Sequence, residues 1–465
     1  MEHRKPRIGL LGLMLELYDT ALPDLKGTQT TFAHELIRES LSFADVAFPG
    51  ICNTREQVDR AVAGLENEEV DLILVVHFSY APSLISLPAL LRTSRPILLF
   101  NTQKLFEFGP DSPPTATTEN HGMHGVQDLS NVLVRSGRAF ELVTGHYRDP
   151  EALTEVREWV EAARAASTLR RARIGILGYP FEGMGDFGLD TTAFLSQVGV
   201  TVVQIPMGEV ARLAVDAPSE EIQRLMEEDR GMFTLDERLT KEDHARALRL
   251  EWALRRIAEE RNLSGFSMHF GAVAEDGRLE TVPFLAASKM LADGYGYGGE
   301  GDASSAAVVA MMQDLCGPAS FTEMFTMDFA NGQILMTHMG EANWRMARKD
   351  EPVRLIRKDF PFGKCDPPAS LCFSMEPGSA TLANLVTVAD GRLKLIAAEV
   401  DIVDFRAIPT FQTPHYKITP WCPLPEFLNR YSREGGSHHL AIVFGEHAGK
   451  MAKVAQWMDV DFVQV

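Results

Sequence analysis

The chain has 465 residues, 45% of them hydrophobic, which is long enough for two or three domains with sizeable packed cores. Its formal net charge of -19 argues against a nucleic-acid backbone or an anionic membrane surface as the main partner. An acidic surface of this kind mainly favours solubility.

The start of the chain and its cysteines predict a cytoplasmic protein. The apolar run at residues 8–17 is interrupted by Gly9, Gly12 and Glu16, so we expect no signal peptide. No run of about 18 uncharged apolar residues occurs, so we expect no membrane span. The absence of a CxxC pair argues against a zinc ribbon or a disulfide framework and favours a reducing compartment. The five cysteines are Cys52, Cys316, Cys365, Cys372 and Cys422.

The first third of the chain predicts alternating strands and helices. Near-continuous apolar runs separated by amphipathic helices are typical of a parallel sheet that is covered on both faces. The predicted strands are residues 8–13, 46–48, 70–77 and 96–100, and the predicted helices are residues 30–43 and 55–65.

The same pattern begins again after a charged helical run at residues 150–171. An apolar strand opens at Arg173, so we place the first domain boundary after residue 170. A second α/β domain is indicated by predicted strands at residues 202–205 and 265–270 and predicted helices at residues 241–261 and 284–293.

The last third of the chain has a different pattern. Short alternating strands with Gly and Pro turns, as at residues 380–388 and 392–400, are typical of antiparallel β structure. The end returns to a helix at residues 451–457 and a strand at residues 462–465. We therefore predict three domains, at residues 1–170, 171–320 and 321–465.

Two carboxylates lie in the stretch from Gly294 to His338. Glycines on both sides of Glu300 permit a tight turn that leads into a helix, with Asp302 or Ser304 as its N-cap. Strict alternation places Glu323 on a strand face with aromatic neighbours, where a lone buried carboxylate would be costly. The residues predicted to share that face are Phe321, Glu323, Phe325, Met327 and Phe329.

Histidines near these acids suggest a metal site. Alternation on the next predicted strand places Ile334, Met336 and His338 on one face, and a cation bound by Glu300, Glu323 and His338 would offset the cost of burying both acids. His438 and His439 follow a glycine turn, and in a strand at most one of them would face such a site. Three ordinary alternatives stay open: helix-capping or ion-paired glutamates, a core histidine, and an exposed histidine loop.

The segment from Gly296 to Gly301 also fits the dinucleotide pattern GxGxxG. That pattern needs a preceding strand, so that the pyrophosphate meets a helix N-terminus. A helix is predicted before it here, which argues against a nucleotide site.

At four motifs, in the same order along the chain, the sequence resembles the L-arabinose isomerase family and, more distantly, the L-fucose isomerases. Four ordered motifs are far more specific than any one of them, and weaker similarities extend over nearly the whole chain. The motifs are Gly294 to Asp302, Ser320 to Glu323, Thr337 to Glu341 and Gly435 to His439.

The resemblance implies a chemistry and a fold. Glu300, Glu323, His338 and His439 would bind a divalent cation, usually Mn2+, with His438 as the alternative to His439. Glu300 and Glu323 would also be the acid and base that move a proton between C1 and C2 of an open-chain sugar through an ene-diol. The implied fold class is α/β, with two doubly wound, flavodoxin- or Rossmann-like parallel-sheet domains followed by a β-rich, barrel-like antiparallel C-terminal domain.

The resemblance also implies a homo-oligomer, a trimer or hexamer, with the sugar pocket at a subunit junction. The sugar-contacting positions would be Leu17 and Tyr18, both from a neighbouring subunit, together with Gln103, His124 and Met184. Departures from the family at Leu15, at Val273 and at residues 184–187 lead us to expect a sugar other than L-arabinose. The competing hypotheses are a sugar-binding or regulatory relative that has lost catalysis and a nucleotide-dependent oxidoreductase.

Overall fold

The computed structural model describes residues 4–465. The chain forms two compact units, of which the first ends at Ser167 and the second begins at Thr168. The division of the chain into three domains remains our proposal. No helix in the described range is both long and apolar enough to cross a bilayer, and no cysteine in that range forms a disulfide bond.

A parallel sheet forms the centre of the first unit. Its strands lie in the order β2-β1-β4-β5-β6, and β3 also pairs with β1. Every residue of the central strand Leu72–His77 is buried, as expected for a strand with helices on both faces. The strands are β1 Arg7–Leu13, β2 Asp45–Ala47, β3 Ile51–Cys52, β4 Leu72–His77, β5 Ile97–Asn101 and β6 Glu141–Thr144. The helices up to the end of this unit are α1 Leu17–Ala21, α2 Leu25–Ser40, α3 Arg55–Asn67, α4 Leu87–Arg92, α5 Ala116–Glu119, α6 Gly122–Arg135 and α7 Pro150–Arg170, which extends into the second unit.

The second unit begins with another parallel sheet, in the order β11-β10-β7-β8. Its strands are β7 Arg173–Leu177, β8 Thr201–Ile205, β10 Gly265–Met268 and β11 Gly296–Gly299, and a short strand outside it is β9 Thr234–Leu235. The helices are α8 Thr191–Val198, α9 Met207–Asp216, α10 Ser219–Met232, α11 Lys241–Glu260, α12 Phe270–Asp276, α13 Phe284–Ala292 and α14 Ala303–Cys316.

A closed antiparallel barrel of six strands follows. Around the barrel the order is β16-β19-β12-β13-β18-β17, and β16 pairs with β17 to close it. Strand β20 adds to β17 in parallel, and β14 and β15 pair with β9 in a small separate sheet. The strands are β12 Ala319–Asp328, β13 Gln333–Thr337, β14 Arg354–Arg357, β15 Ala369–Cys372, β16 Gly378–Thr387, β17 Leu393–Ile402, β18 His415–Pro420, β19 His439–Phe444 and β20 Asp461–Gln464, and the helices are α15 Leu424–Arg433 and α16 Ala448–Met458.

Apolar side chains form the core of this barrel. The buried members come from the other five strands of the closed ring, partly buried Met324 of β12 packs against them, and helix α15 contributes two aromatic rings. The core residues include Ile334, Met336, Leu382, Ile396, Ile418, Ile442, Phe427 and Tyr431. The observed architecture confirms the predicted fold class, two parallel-sheet α/β regions followed by an antiparallel barrel.

A buried ion cluster joins helices α10, α11 and α13. The Lys289 ammonium lies 2.8 Å from a carboxylate oxygen of Asp229 and 2.8 Å from one of Glu251. His244 also contacts Asp229, at 2.8 Å. All four side chains are buried, and Glu251 also pairs with Arg255 at 2.8 Å, so these contacts compensate the cost of burying the two carboxylates.

Two local predictions were wrong. The segment Gly296–Gly299 is a strand of the parallel sheet, not part of a turn, because α14 folds back directly onto it. A Cβ at Gly296 would come within 2.0 Å of the Ala306 carbonyl oxygen, and one at Gly298 within 2.3 Å of the Asp302 oxygen. The glycines therefore allow close packing within a strand, and the turn comes only after them.

The predicted alternation along β12 also fails, because the strand contains a bulge. Its register against β13 shifts between Met324 and Thr326, so Phe325 has no partner in the ladder. Beyond the bulge, Phe325, Met327 and Phe329 are exposed. Only Phe321, of the predicted aromatic neighbours, is buried with Glu323.

Candidate metal centre

Glu300 lies in a tight turn between β11 and α14. Its backbone is left-handed, with a φ of 60°, and it is held by hydrogen bonds from its own N–H to Met268 O (2.7 Å) and from Phe181 N–H to its carbonyl (2.9 Å). A residue that is not glycine rarely adopts this conformation, and where it does the strain often accompanies function. Asp302, and not Ser304, then caps α14 by accepting from Ser305 N–H. The turn thus fixes one carboxylate at the carboxyl end of the parallel sheet.

The register of the barrel places Glu323 beside two histidine-bearing segments. On β12, Glu323 is directly opposite His439 of β19 and opposite Thr337 of β13. Directly opposed residues share one face of an antiparallel ladder, with Cβ atoms about 5 Å apart. His338 follows Thr337, immediately after β13 ends. Backbone pairing alone therefore brings together residues that lie more than a hundred positions apart in the sequence.

Buried polar atoms of His338, His439 and Glu300 lie in one group with the Glu323 carboxylate. His439 Nε2 lies 3.0 Å and His338 Nε2 3.3 Å from Glu323 Oε1, and His439 Nε2 lies 3.4 Å from Glu300 Oε2. Within the described part of the chain, neither Nε2 nor Glu300 Oε2 makes an aligned hydrogen bond. The structure thus brings all four predicted metal ligands, Glu300, Glu323, His338 and His439, into one cluster.

The imidazoles of His338 and His439 are each oriented by a carboxylate that contacts Nδ1. His439 Nδ1 lies 3.1 Å from Asp302 Oδ2, and His338 Nδ1 lies 2.8 Å from Glu341 Oε2. A carboxylate oxygen can only accept, so each Nδ1 carries a hydrogen, and in its neutral form each ring turns a lone pair on Nε2 toward the acids. Lone pairs facing carboxylate oxygens repel each other unless a proton or a cation lies between them. The donor set therefore fits a divalent cation with nitrogen and oxygen ligands.

The pKa values show the same need for positive charge. Burial raises the pKa of Glu300, but the close imidazoles of His438 and His439 and the charge of His338 outweigh it and hold this pKa well below its ordinary value. Burial lowers the pKa of His439, yet the close carboxylates of Asp302, Glu300 and Glu323 raise it well above the ordinary value. For His338, Glu341 and Glu323 likewise outweigh burial and raise the pKa. Protons on His338 and His439 therefore supply the positive charge that a bound cation would supply beside the two glutamates.

Both adjacent histidines face the cluster, contrary to the prediction that at most one would. His438 Nε2 lies 3.7 Å from Glu300 Oε2 and 4.0 Å from Glu323 Oε1. Because His438 precedes the first residue of β19, strand alternation does not apply to it. Its Nδ1 is 2.6 Å from Asp186 Oδ2, and the ring is partly exposed. Ligand atoms of Glu300, Glu323, His438 and His439 all lie within 4.8 Å of one another, so His438 is an alternative fourth ligand to His338.

Sequence reasoning missed two contacts of the cluster. Phe187 stacks on the His439 ring, with centroids 4.9 Å apart and planes within 9°, and Asp186 binds both the backbone N–H and the ring of His438. Both residues lie in the segment 184–187, noted only as a departure from the family pattern. Glu341 belongs to the motif from Thr337 to Glu341, but the sequence alone does not show that it orients His338.

The predicted sugar-contacting residues divide between the two units. Leu17 is exposed and Tyr18 half-buried on α1, while Gln103 is exposed after β5. His124 is exposed on α6, where its Nδ1 lies 2.7 Å from His121 Nε2. Met184 is half-buried in the loop between β7 and α8. A role in sugar binding remains a prediction for all five.

Two family models match the chain. The model described as the L-arabinose isomerase central domain matches residues 188–317, and the model described as the L-arabinose isomerase C-terminal domain matches residues 318–461. Together they cover more than half of the chain.

Curated relatives align along most of the chain. L-arabinose isomerase of Anoxybacillus flavithermus is 25% identical over 96% of this chain and 91% of its own length. The enzyme of the same name from Aeromonas salmonicida is 26% identical over 85% of this chain and 81% of its own length. That from Salmonella arizonae is 24% identical over 94% of this chain and 87% of its own length.

Proposed function

Because the chain belongs to the L-arabinose isomerase family and is an aldose–ketose isomerase, we propose that it works as a metal-dependent enzyme through the cluster around Glu323. Glu300, Glu323, His338 and His439 would bind a divalent cation, for which Mn2+ is our choice. When bound, the cation would polarise the oxygens at C1 and C2 of an open-chain sugar and stabilise negative charge on them.

The two glutamates would move the proton. One carboxylate removes the hydrogen from C2 of the aldose; the C2–H electron pair forms the C1–C2 double bond of an ene-diol while the C1 oxygen takes up a proton. The C2 hydroxyl then gives up its proton to form the ketose carbonyl, and C1 receives a proton from a carboxyl group.

The observation that carries this proposal is the convergence of unsatisfied ligand atoms. Glu323 Oε1 on β12 lies 3.0 Å from His439 Nε2 and 3.3 Å from His338 Nε2, and His439 Nε2 lies 3.4 Å from Glu300 Oε2; the two Nε2 atoms and Glu300 Oε2 have no aligned hydrogen bond in the described chain. Buried polar atoms without partners are rare, and they cluster where a ligand completes them. The same cluster brings two carboxylates side by side, as proton transfer between adjacent carbons requires.

Metal removal and a catalytic variant test the proposal. Chelator-treated protein should show no isomerisation of pentoses, 6-deoxyhexoses or tetroses, and added Mn2+ should restore it. Glu323→Gln should remove turnover while the circular dichroism spectrum stays unchanged. Asp328→Asn on the same strand is the matched control, because Asp328 pairs with Lys417 and not with the cluster. An active Glu323→Gln enzyme, or an enzyme unaffected by the chelator, would contradict the assignment.

The fourth ligand can be decided separately. His338→Gln and His438→Gln would be compared for Mn2+ affinity by calorimetry. We expect the larger loss for His338, because its Nε2 is buried and its Nδ1 is fixed by Glu341, whereas His438 is partly exposed and paired with Asp186. A larger loss for His438 would make that residue the ligand.

Three finer statements stay proposals: a sugar other than L-arabinose, a trimer or hexamer with the pocket at a subunit junction, and a cytoplasmic location. Nothing in the described residues favours the non-catalytic sugar-binding alternative. That alternative would be supported if the Mn2+-loaded protein bound aldoses but formed no ketose from any sugar of the panel.

A further inference from the structure

His269 occupies the position where the parallel sheet of the second unit is open to a ligand. The sheet order is β11-β10-β7-β8, so the chain leaves β7 toward one side, to β8, and later returns on the other side, to β10. Loops that follow two such strands diverge and leave a crevice at their carboxyl ends, where α/β proteins bind ligands. His269 is the first residue after β10, and Tyr179 and Phe181 follow β7.

The same crevice adjoins the candidate metal centre. The residue before His269, Met268, accepts a hydrogen bond from Glu300 N–H at 2.7 Å, and Phe181 N–H donates to the Glu300 carbonyl at 2.9 Å. The His269 and Phe181 rings lie 4.4 Å apart between centroids. His269 thus lies next to the turn that holds Glu300, one residue after the carbonyl that accepts from Glu300 N–H and in ring contact with Phe181.

The imidazole of His269 is buried without hydrogen-bond partners. It is 94% buried, yet neither of its ring nitrogens makes a hydrogen bond of normal geometry to any part of the described chain. The Tyr179 backbone approaches the ring but is not aligned with it. Leaving a buried polar group unpaired is costly, about 1–3 kcal/mol, so such a group usually has a partner that binds from outside.

Its neighbours hold the ring in place and keep it neutral. Phe181, Phe270 and Tyr179 contact it through ring edges and faces, and a Cβ at Gly271 would come within 2.8 Å of its Nε2. Burial lowers the pKa of His269 more than Glu300, Glu275 and the Tyr179 backbone raise it. A neutral imidazole has one N–H donor and one acceptor, which matches an alcohol group that both donates and accepts.

We propose that His269 is a specificity-determining residue that binds a hydroxyl group of the open-chain sugar distal to C1 and C2. This inference rests on the proposed isomerase function and adds to it a recognition group for the carbon chain beyond the reacting atoms. Aromatic rings beside His269 would contact the C–H faces of the sugar, as apolar walls with few polar groups do in small-molecule sites.

The test compares wild type with His269→Phe, which keeps an aromatic ring, and with His269→Asn, which keeps a donor and an acceptor. Each protein is loaded with Mn2+ and assayed on a panel of pentoses and the corresponding tetroses, which lack one distal hydroxyl group. For the pentose that wild type turns over fastest, we expect His269→Phe to raise KM about tenfold and to leave kcat within about threefold. The preference for pentose over tetrose should fall by a similar factor, and His269→Asn should recover part of it.

Equal KM values and equal pentose-to-tetrose preferences in wild type and His269→Phe would overturn the inference, as would a fall in kcat alone. A second measurement does not depend on turnover: calorimetric binding of the pentitols arabitol and xylitol to the Mn2+-loaded proteins. Weaker pentitol binding in both variants with unchanged Mn2+ affinity supports a contact with the polyol chain, and unchanged pentitol binding opposes it. A wild type that isomerises no sugar of the panel would refute the proposed function, while the pentitol titration would still decide the role of His269.

Discussion

Asp302 contributes one carboxylate oxygen to a helix cap and the other to a histidine, and a single substitution separates these roles. Oδ1 accepts from Ser305 N–H at 3.0 Å and begins α14, while Oδ2 lies 3.1 Å from His439 Nδ1. In Asp302→Asn, the amide oxygen can still cap the helix, but the amide nitrogen now faces the Nδ1 hydrogen. His439 must then move its proton to Nε2, the nitrogen that faces Glu300 and Glu323.

The expected changes in Mn2+ affinity and in unfolding free energy follow from the contact that each substitution removes. Removing a carboxylate that orients a metal-binding histidine typically lowers metal affinity about 10- to 100-fold, and we expect this for Asp302→Asn. The free energy of unfolding of the metal-free protein should change by about 1 kcal/mol or less, because the cap remains. Asp302→Ala loses the cap as well and should be destabilised by about 1 kcal/mol more.

The assay has two readings on the same preparations. Calorimetric titration of Mn2+ into chelator-treated protein gives the affinity, and urea unfolding of the metal-free protein gives the stability. Asp328→Asn serves again as the control that removes a carboxylate elsewhere on the barrel. Mn2+ binding by Asp302→Asn within threefold of wild type would refute the idea that Asp302 orients a metal ligand.

Three further predictions concern stability and the turn at Glu300. Burial lowers the pKa of His77 from 6.5 to about 4, so the neutral ring stabilises the fold fully above pH 6.5 and this contribution is lost as the pH falls toward 4. Urea unfolding at pH 7.5 and 4.5 should show wild type losing about 2.5 kcal/mol relative to His77→Gln; equal losses would contradict the sign. Among the described residues, Lys289→Met leaves Glu251 paired only with Arg255 and Asp229 in contact only with His244, and should lower the unfolding free energy at pH 7 by about 3 kcal/mol, measured in urea. Gly301→Ala, at a φ of 95°, would bring a Cβ within 2.4 Å of Pro180 Cα and should abolish Mn2+ binding by displacing Glu300, whereas Gly317→Ala, at a φ of 108° with no described atom within 4 Å, should leave binding unchanged in the same titration.

Local patterns in the sequence were sufficient for most elements of the fold. The strand at Leu72–His77 is continuous and apolar, and the helix at Lys241–Glu260 follows Thr240, which caps it as its sequence suggests. The strand Gly296–Gly299 could not be found in this way, because its glycines are dictated by the helix packed against it. Contacts with another element are not visible in a local window.

The sequence motifs named the residues of the candidate site but not their arrangement. Glu300, Glu323, His338 and His439 were recognised through ordered motifs, and the register of the barrel brings them together. The bulge at Phe325 and the inward position of His438 depend on pairing partners that periodicity cannot specify. His269 has no motif of its own, and its interest comes only from burial without a partner.

Closure of the barrel also determines how tolerant the ligand geometry is to change. In an open sheet, a strand can slide by two residues and keep each side chain on the same face, so the distances between side chains on neighbouring strands can change. In a ring the total stagger is fixed, so a shift between β12 and β19 must be compensated among the other junctions, one of which is the ten residue pairs that join β16 to β17. Substitutions at that remote seam would therefore alter the separation of Glu323 from His439 without touching either, which makes the seam a place to tune metal affinity by engineering.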